Sequence, residues 1–131
     1  MTPEGFTFVN QRQCLVMHTG HQGILFGGMM LSWLDEAGAL FAEEASRAAK
    51  LVTRALDAME FINPVYPSEN VRFYAKVDRR GTTSVTVRIQ AFVHDPRARR
   101  APKPVTEACM TFVSVNEEGG KCPIDWDSIT D

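Results

Sequence analysis

With 131 residues, a formal charge of −2 and 23% charged residues, the chain has room for a single domain spanning 1–131 that buries about two-thirds of its unfolded surface, and it lacks the general basic character of a polyanion binder. No apolar run reaches the roughly 20 residues of a membrane helix, and the first residues show no basic region followed by an apolar secretory segment. The expectations are therefore no nucleic-acid partner, no membrane partner and a cytoplasmic location.

In chain order, residues 5–17 mix Phe6, Phe8, Val9, Leu15, Val16 and Met17 with Asn10, Gln11, Arg12 and Gln13, which reads as a first, interrupted strand. Its Cys14, with Cys109 and Cys122, shows neither CxxC nor metal-ligand spacing, so reduced thiols and no metal are expected. A catalytic cysteine is the lesser reading, because none stands in an electropositive turn or at a helix start that would favour thiolate. Cys109, within a strand pattern, reads as a small buried hydrophobe.

A polar, Gly-punctuated loop over residues 18–23 leads through Phe26-Gly27-Gly28 into residues 29–49, which hold no Pro and only Gly38 as a breaker. Ala, Leu and Met dominate, predicting one long helix that ends near Lys50. Winding it at about 100° per residue separates three faces. Ser32, Glu36, Glu43, Arg47 and Lys50 form a wet stripe, with Glu43 and Arg47 spaced for an ion pair. Met30, Trp33, Leu34, Ala37, Phe41 and Ala48 form the stripe expected to lie on a sheet. Gly28, Leu31, Asp35, Gly38, Ala42 and Ala49 form a third face, a lone carboxylate among small residues. Small residues admit a second backbone or a ligand, and a carboxylate there is expected to be partly desolvated and more basic. The plainer alternative is that Asp35 only widens the polar stripe beside Glu36.

Residues 51–62 read as a strand closed by Asn63-Pro64, with Pro67 marking the connection beyond. From Val71 the alternation is clean: Val71, Phe73, Ala75 and Val77 against Arg72, Tyr74, Lys76 and Asp78. Gly81 in residues 78–83 predicts a hairpin into a strand over 84–93, and after a Pro-rich basic loop at 94–104 a last strand covers 105–115. Trp126 in the tail is expected to pack back onto the body. One helix among strands joined by short connections is an α+β pattern, an antiparallel sheet covered on one face by a helix. A single helix leaves a wide sheet partly bare, so dimerisation is expected.

In order along the chain, Gly23-Ile24-Leu25-Phe26-Gly27-Gly28, Leu31-Ser32-Trp33-Leu34-Asp35-Glu36-Ala37-Gly38, Val52-Thr53, Phe61-Ile62-Asn63-Pro64-Val65, Arg80-Gly81-Thr82-Thr83-Ser84, Thr106-Glu107-Ala108 and Thr111-Phe112-Val113 stand together. The set resembles the hotdog-fold acyl-CoA thioesterases, in particular the YciA-like acyl-CoA hydrolases. The resemblance implies a hotdog fold, a helix wrapped by an antiparallel sheet. It also implies two units sharing a continuous sheet, assembled further into a tetramer or hexamer, with the active site at their interface. It makes Asp35 the catalytic aspartate, acting as general base or as nucleophile through a mixed anhydride. Backbone N–H groups around Gly27 and Gly28 would meet the oxyanion; their plainer role is a loop-to-helix turn.

Relatives in that family commonly carry an asparagine where this chain has Gly20, and His21 or Gln22 would then supply the missing hydrogen bonds. No cofactor is implied; coenzyme A is part of the substrate and needs cations for its phosphates. Arg79, Arg80, Thr83 and Ser84 are the first candidates, and Arg97, Arg99, Arg100 and Lys103 the second. Met29, Met30 and Met59 would line an adaptable acyl seam. Two other readings stay open: a hotdog hydroxyacyl-CoA dehydratase using His21 and Asp35, and a non-catalytic acyl-CoA sensor.

Overall fold

The strands follow from alternation. In the strand Ser84–Val93 every second residue is buried, and Val85, Val87, Ile89 and Ala91 are wholly so, because a pleated strand sends successive side chains to opposite faces. In the computed structural model, which describes residues 2–95, 97 and 100–129, the elements are β1 (Thr7–Gln13), α1 (Gly27–Ser46), β2 (Leu51–Phe61), β3 (Asn70–Arg80), β4 (Ser84–Val93) and β5 (Lys103–Ser114). Short 3-10 turns occupy Val16–His18 and Trp126–Ser128. The sheet order is β1-β3-β4-β5-β2, with every pairing antiparallel. The expected α+β layout, one long helix on one sheet, is the observed one.

Helix α1 begins at Gly27, two residues earlier than residues 29–49 suggested, because the Phe26 carbonyl already accepts the Met29 and Met30 N–H groups. It stops at Ser46, short of the expected end, where Arg47 turns left-handed at φ 57° and donates its N–H to the Glu43 carbonyl. Arg47 thus serves as the C-cap; its expected side-chain pair with Glu43 is not among the ion pairs of the described residues.

The sheet-facing stripe is Met30, Trp33, Leu34, Ala37, Gly38, Ala42 and Ser46. Gly38 and Ala42, expected on a face open to a partner, are instead pressed on the chain's own sheet. A Cβ on Gly38 would stand 2.9 Å from Ile89 Cδ1 and 3.1 Å from Phe112 Cζ. Phe41 is only half-buried and Ala48 lies beyond the helix. The real stripe is rotated toward the small residues because they let the helix axis approach the sheet.

Two further expectations are corrected in detail. The first strand is interrupted as expected but shorter than residues 5–17: β1 covers Thr7–Gln13 with a bulge between Phe8 and Asn10, and the chain then folds into the Val16–His18 turn. Cys109 is half-buried rather than core, on the opposite face from Ala108 and Met110 and paired across the ladder with Arg88. The tail behaves as expected, with Trp126 Nε1 donating to the Gly81 carbonyl at 2.8 Å and Arg80 over its ring at 5.1 Å.

Candidate active site

Asp35 stands on the exposed side of α1, one residue beyond the buried Trp33-Leu34 pair. Its Oδ1 accepts the Thr53 hydroxyl at 2.6 Å. Thr53 belongs to β2 and pairs with Phe112 of β5, so its side chain lies on the helix side of the sheet. The bond therefore ties the helix to the edge strand. Within one chain the carboxylate is exposed, so the desolvation expected from its small neighbours is not provided by this subunit alone.

The helix start forms the second part of the site. The Phe26 carbonyl takes the N–H groups of Met29 and Met30, while those of Gly27 and Gly28 have no acceptor among the described residues and stand at the positive end of the helix dipole. Both are flanked by exposed rings: Phe61 would lie 3.5 Å from a Gly27 Cβ, and Phe26 only 2.6 Å from a Gly28 Cβ. A side chain at 28 would have to push that exposed ring aside. Beside Gly27 opens a largely apolar cavity of 480 Å³ walled by Ile24, Leu25, Met30, Phe61, Val65 and Thr106, among others. Of the expected acyl-seam methionines, Met30 lines it, whereas Met29 and Met59 are half-buried against the core.

Asp35 and these donors do not meet within the chain. Gly28 and Asp35 share a helix face but are seven residues apart, about 10 Å along the axis at 1.5 Å per residue. His21 and Gln22 are exposed in the turn after Gly20 and line no part of the cavity. No hydrogen bond joins His21 to Asp35 among the described residues. The histidine that is built into the fold is His18, whose Nδ1 accepts the Leu15 N–H at 3.0 Å and whose ring meets Trp33 edge-on at 5.2 Å.

Arg79 and Arg80 are exposed at the end of β3, and the Thr83 and Ser84 carbonyls are taken up by the Ser114 and Gly81 N–H groups. Arg80, Val85, Phe112 and Thr53 form one cross-strand row. Three strand spacings, about 14 Å, thus separate the backbone at Arg80 from that at Thr53. Arg97, Arg100 and Lys103 line more polar clefts at the opposite end of the sheet, together with Glu69 and Asp95. Arg99 lies outside the described residues.

Two of the thiols, Cys14 and Cys109, fit no nucleophilic role. Burial first, and Glu69 second, push the Cys14 thiol up. Burial likewise raises Cys109, partly offset by Arg88. A higher thiol pKa means less thiolate at neutral pH. Two residues were missed as site members in the sequence reading, Thr53 and Thr106. Both show a readable signal, a hydroxyl at a helix-facing position of an otherwise apolar alternation.

A carboxylate and orphan N–H donors on one helix against an antiparallel sheet define a class. The chain belongs to the thioesterase superfamily, whose family model matches residues 22–98, and its fold is the hotdog fold. Within that superfamily it belongs with the acyl-CoA thioester hydrolases. It is 31% identical over 129 residues to the acyl-CoA thioester hydrolase YciA of Salmonella typhimurium, covering 94% of this chain and 92% of that one. A hexameric thioesterase from Yersinia pestis superposes with a TM-score of 0.86 at 29% identity, over 95% of this chain and 99% of that chain. A hexameric hotdog fold thioesterase of Campylobacter jejuni does so with a TM-score of 0.82 at 32% identity, over 92% and 91%.

Proposed function

We propose that this chain hydrolyses the thioester of acyl-CoA to a free carboxylic acid and coenzyme A, with Asp35 as the catalytic carboxylate. The observation that carries the reading is the Asp35–Thr53 hydrogen bond on an exposed helix face beside a bare edge strand. Thr53 holds Oδ1 and leaves Oδ2 for a water or for the thioester carbon. As general base, Asp35 takes a proton from water while the water oxygen bonds to the carbonyl carbon. The oxyanion is received by backbone N–H groups, and its collapse breaks the C–S bond; the thiolate leaves and recovers a proton. Direct attack by Asp35 through a mixed anhydride uses the same residue.

The separation along α1 sets how the site is completed. One carbonyl carbon cannot reach Asp35 and the Gly27 and Gly28 donors of the same helix when they are about 10 Å apart. A second copy packed against the first supplies the other half, Asp35 from one and the helix start from its partner. That contact also covers β2 and desolvates the carboxylate. Edge-to-edge pairing of β2 strands gives the continuous sheet, and the hexameric relatives support a larger assembly. Arg79 and Arg80 then stand at a pantetheine-scale distance from Thr53, placed to meet the CoA phosphates.

The test is thiol release from a panel of acyl-CoAs by the wild-type chain and by Asp35→Ala. Turnover should fall by about 10²–10⁴-fold in the variant while its secondary structure and assembly are retained. Equal turnover would remove Asp35 from the mechanism. Tight acyl-CoA binding without thiol release by either protein would favour the sensor, and hydration of crotonyl-CoA the dehydratase.

A further inference from the structure

The Gly27 and Gly28 N–H groups can serve an oxyanion only while the helix start is held still. The peptide joining Phe26 to Gly27 is planar, so its N–H points opposite to its carbonyl. That carbonyl is held by the Met29 and Met30 N–H groups, and on its other side Phe26 donates its own N–H to the His18 carbonyl at 3.0 Å. The helix start therefore hangs on His18. Between the two residues the chain closes into a small loop, with Thr19 bridged to Leu25 and the Gly20 N–H on the Ile24 carbonyl at 3.0 Å. His18 itself is fixed by its side chain. The imidazole Nδ1 accepts the Leu15 N–H at 3.0 Å and so clasps the Val16–His18 turn, and the half-buried ring stands edge-on to the buried Trp33 of α1 at 5.2 Å.

Resting on the hydrolase reading above, we infer that His18, as the neutral imidazole, is a positioning residue for thioester hydrolysis: it fixes Phe26 and thereby aims the Gly27 and Gly28 N–H groups. It acts through the backbone and touches no substrate. The acceptor role needs an unprotonated Nδ1, with the ring proton on Nε2. An imidazolium carries a hydrogen on both nitrogens, so it meets the Leu15 N–H with a second donor and the clasp is lost. The charged groups around the ring do not replace it. From β1, Arg12 lies over the same Trp33 ring at 5.3 Å, and Glu36 of α1 is taken up by Arg12 at 3.2 Å. His21, the other histidine of the loop, is exposed, and no carboxylate pairs with His18 among the described residues. His18 stands third in the turn, where a capping box usually carries Glu or Gln, side chains that can accept the same N–H.

The experiment follows kcat and KM for one hydrolysed acyl-CoA on the wild-type chain, His18→Gln and His18→Leu from about pH 5 to about pH 8, the range in which an imidazole changes charge. At the upper end His18→Leu should lose about tenfold in kcat with KM within about twofold, a part of the roughly 10²–10³ that removal of an oxyanion donor costs. His18→Gln, which keeps the acceptor, should stay within about threefold of wild type. Toward the acid end the wild-type kcat should fall relative to that of His18→Gln; dividing one profile by the other removes the titration of Asp35, which both share. A flat ratio, a kcat that His18→Gln fails to keep, or a His18→Leu effect absent or confined to KM overturns the inference. If His18→Leu does not fold, the ratio between wild type and His18→Gln decides. If no acyl-CoA is hydrolysed, the hydrolase reading has failed. The hold on the helix start is then judged by amide hydrogen–deuterium exchange over residues 18–30 at one pH near the upper end. Faster exchange in His18→Leu with wild-type protection in His18→Gln upholds it, and any other order overturns it.

Discussion

Strands β4 and β2 are nearly equal in length, 10 and 11 residues, yet the chain treats them oppositely. β4 lies between β3 and β5, and its inward residues are sealed under α1. β2 pairs only with β5, and Val52, Leu56 and Phe61 remain exposed on it, Phe61 by 59%. It also bends at two irregularities, the second with Ala58 at φ 50°. The lesson is a division of labour. The middle of the sheet is finished by one chain and supplies stability, whereas the edge stays bare within this chain and holds Thr53, the residue that bonds Asp35.

The contrast predicts where substitutions act. Ile89→Ala in β4 should cost about 2–5 kcal/mol of unfolding free energy, read from urea midpoints; a loss below that range would mean the centre is as loosely packed as the edge. Leu56→Lys in β2 should leave the subunit's secondary structure intact while weakening assembly by about 2 kcal/mol, roughly thirtyfold, read by analytical ultracentrifugation. An unchanged assembly would detach β2 from the interface.

Thr53→Val should lower kcat by about tenfold, the value of one hydrogen bond to a charged group, with little change in thermal midpoint. A fall in stability without a fall in kcat would make Thr53 a structural residue only. Arg79→Ala should raise KM for an acyl-CoA by a few-fold, about 1 kcal/mol for an exposed ionic contact. The effect should vanish for an acyl-pantetheine lacking the phosphates. An equal effect on both would move the nucleotide elsewhere.

Much of this division was legible residue by residue. The β4 alternation predicted Ser84–Val93 to the residue, because a strand buried on one face must alternate. Asp35 stood out on the helical wheel before any relative was considered. The expected role of Gly38 failed, since a wheel ranks faces by composition and cannot tell a partner from the chain's own sheet. Arg47 failed for a related reason: its charge suggested an ion pair, but its backbone was needed to end the helix. The polar loop at 18–23 drew attention to His21 and Gln22, while the cavity is lined by other residues, Thr106 among them, 83 positions beyond the loop's end at Gly23.

By itself, then, the sequence determined the element types, the hairpins, the α+β class and the carboxylate on the small-residue face of the helix, all of which follow from local periodicity and backbone chemistry. Tertiary structure alone decided that Thr53 would meet Asp35, that Gly38 would press on Ile89, and that the His18 ring would meet Trp33. Those facts depend on how far a helix slides over a sheet and which strand falls at the edge. They are set by packing between residues distant in the chain, which no local pattern records.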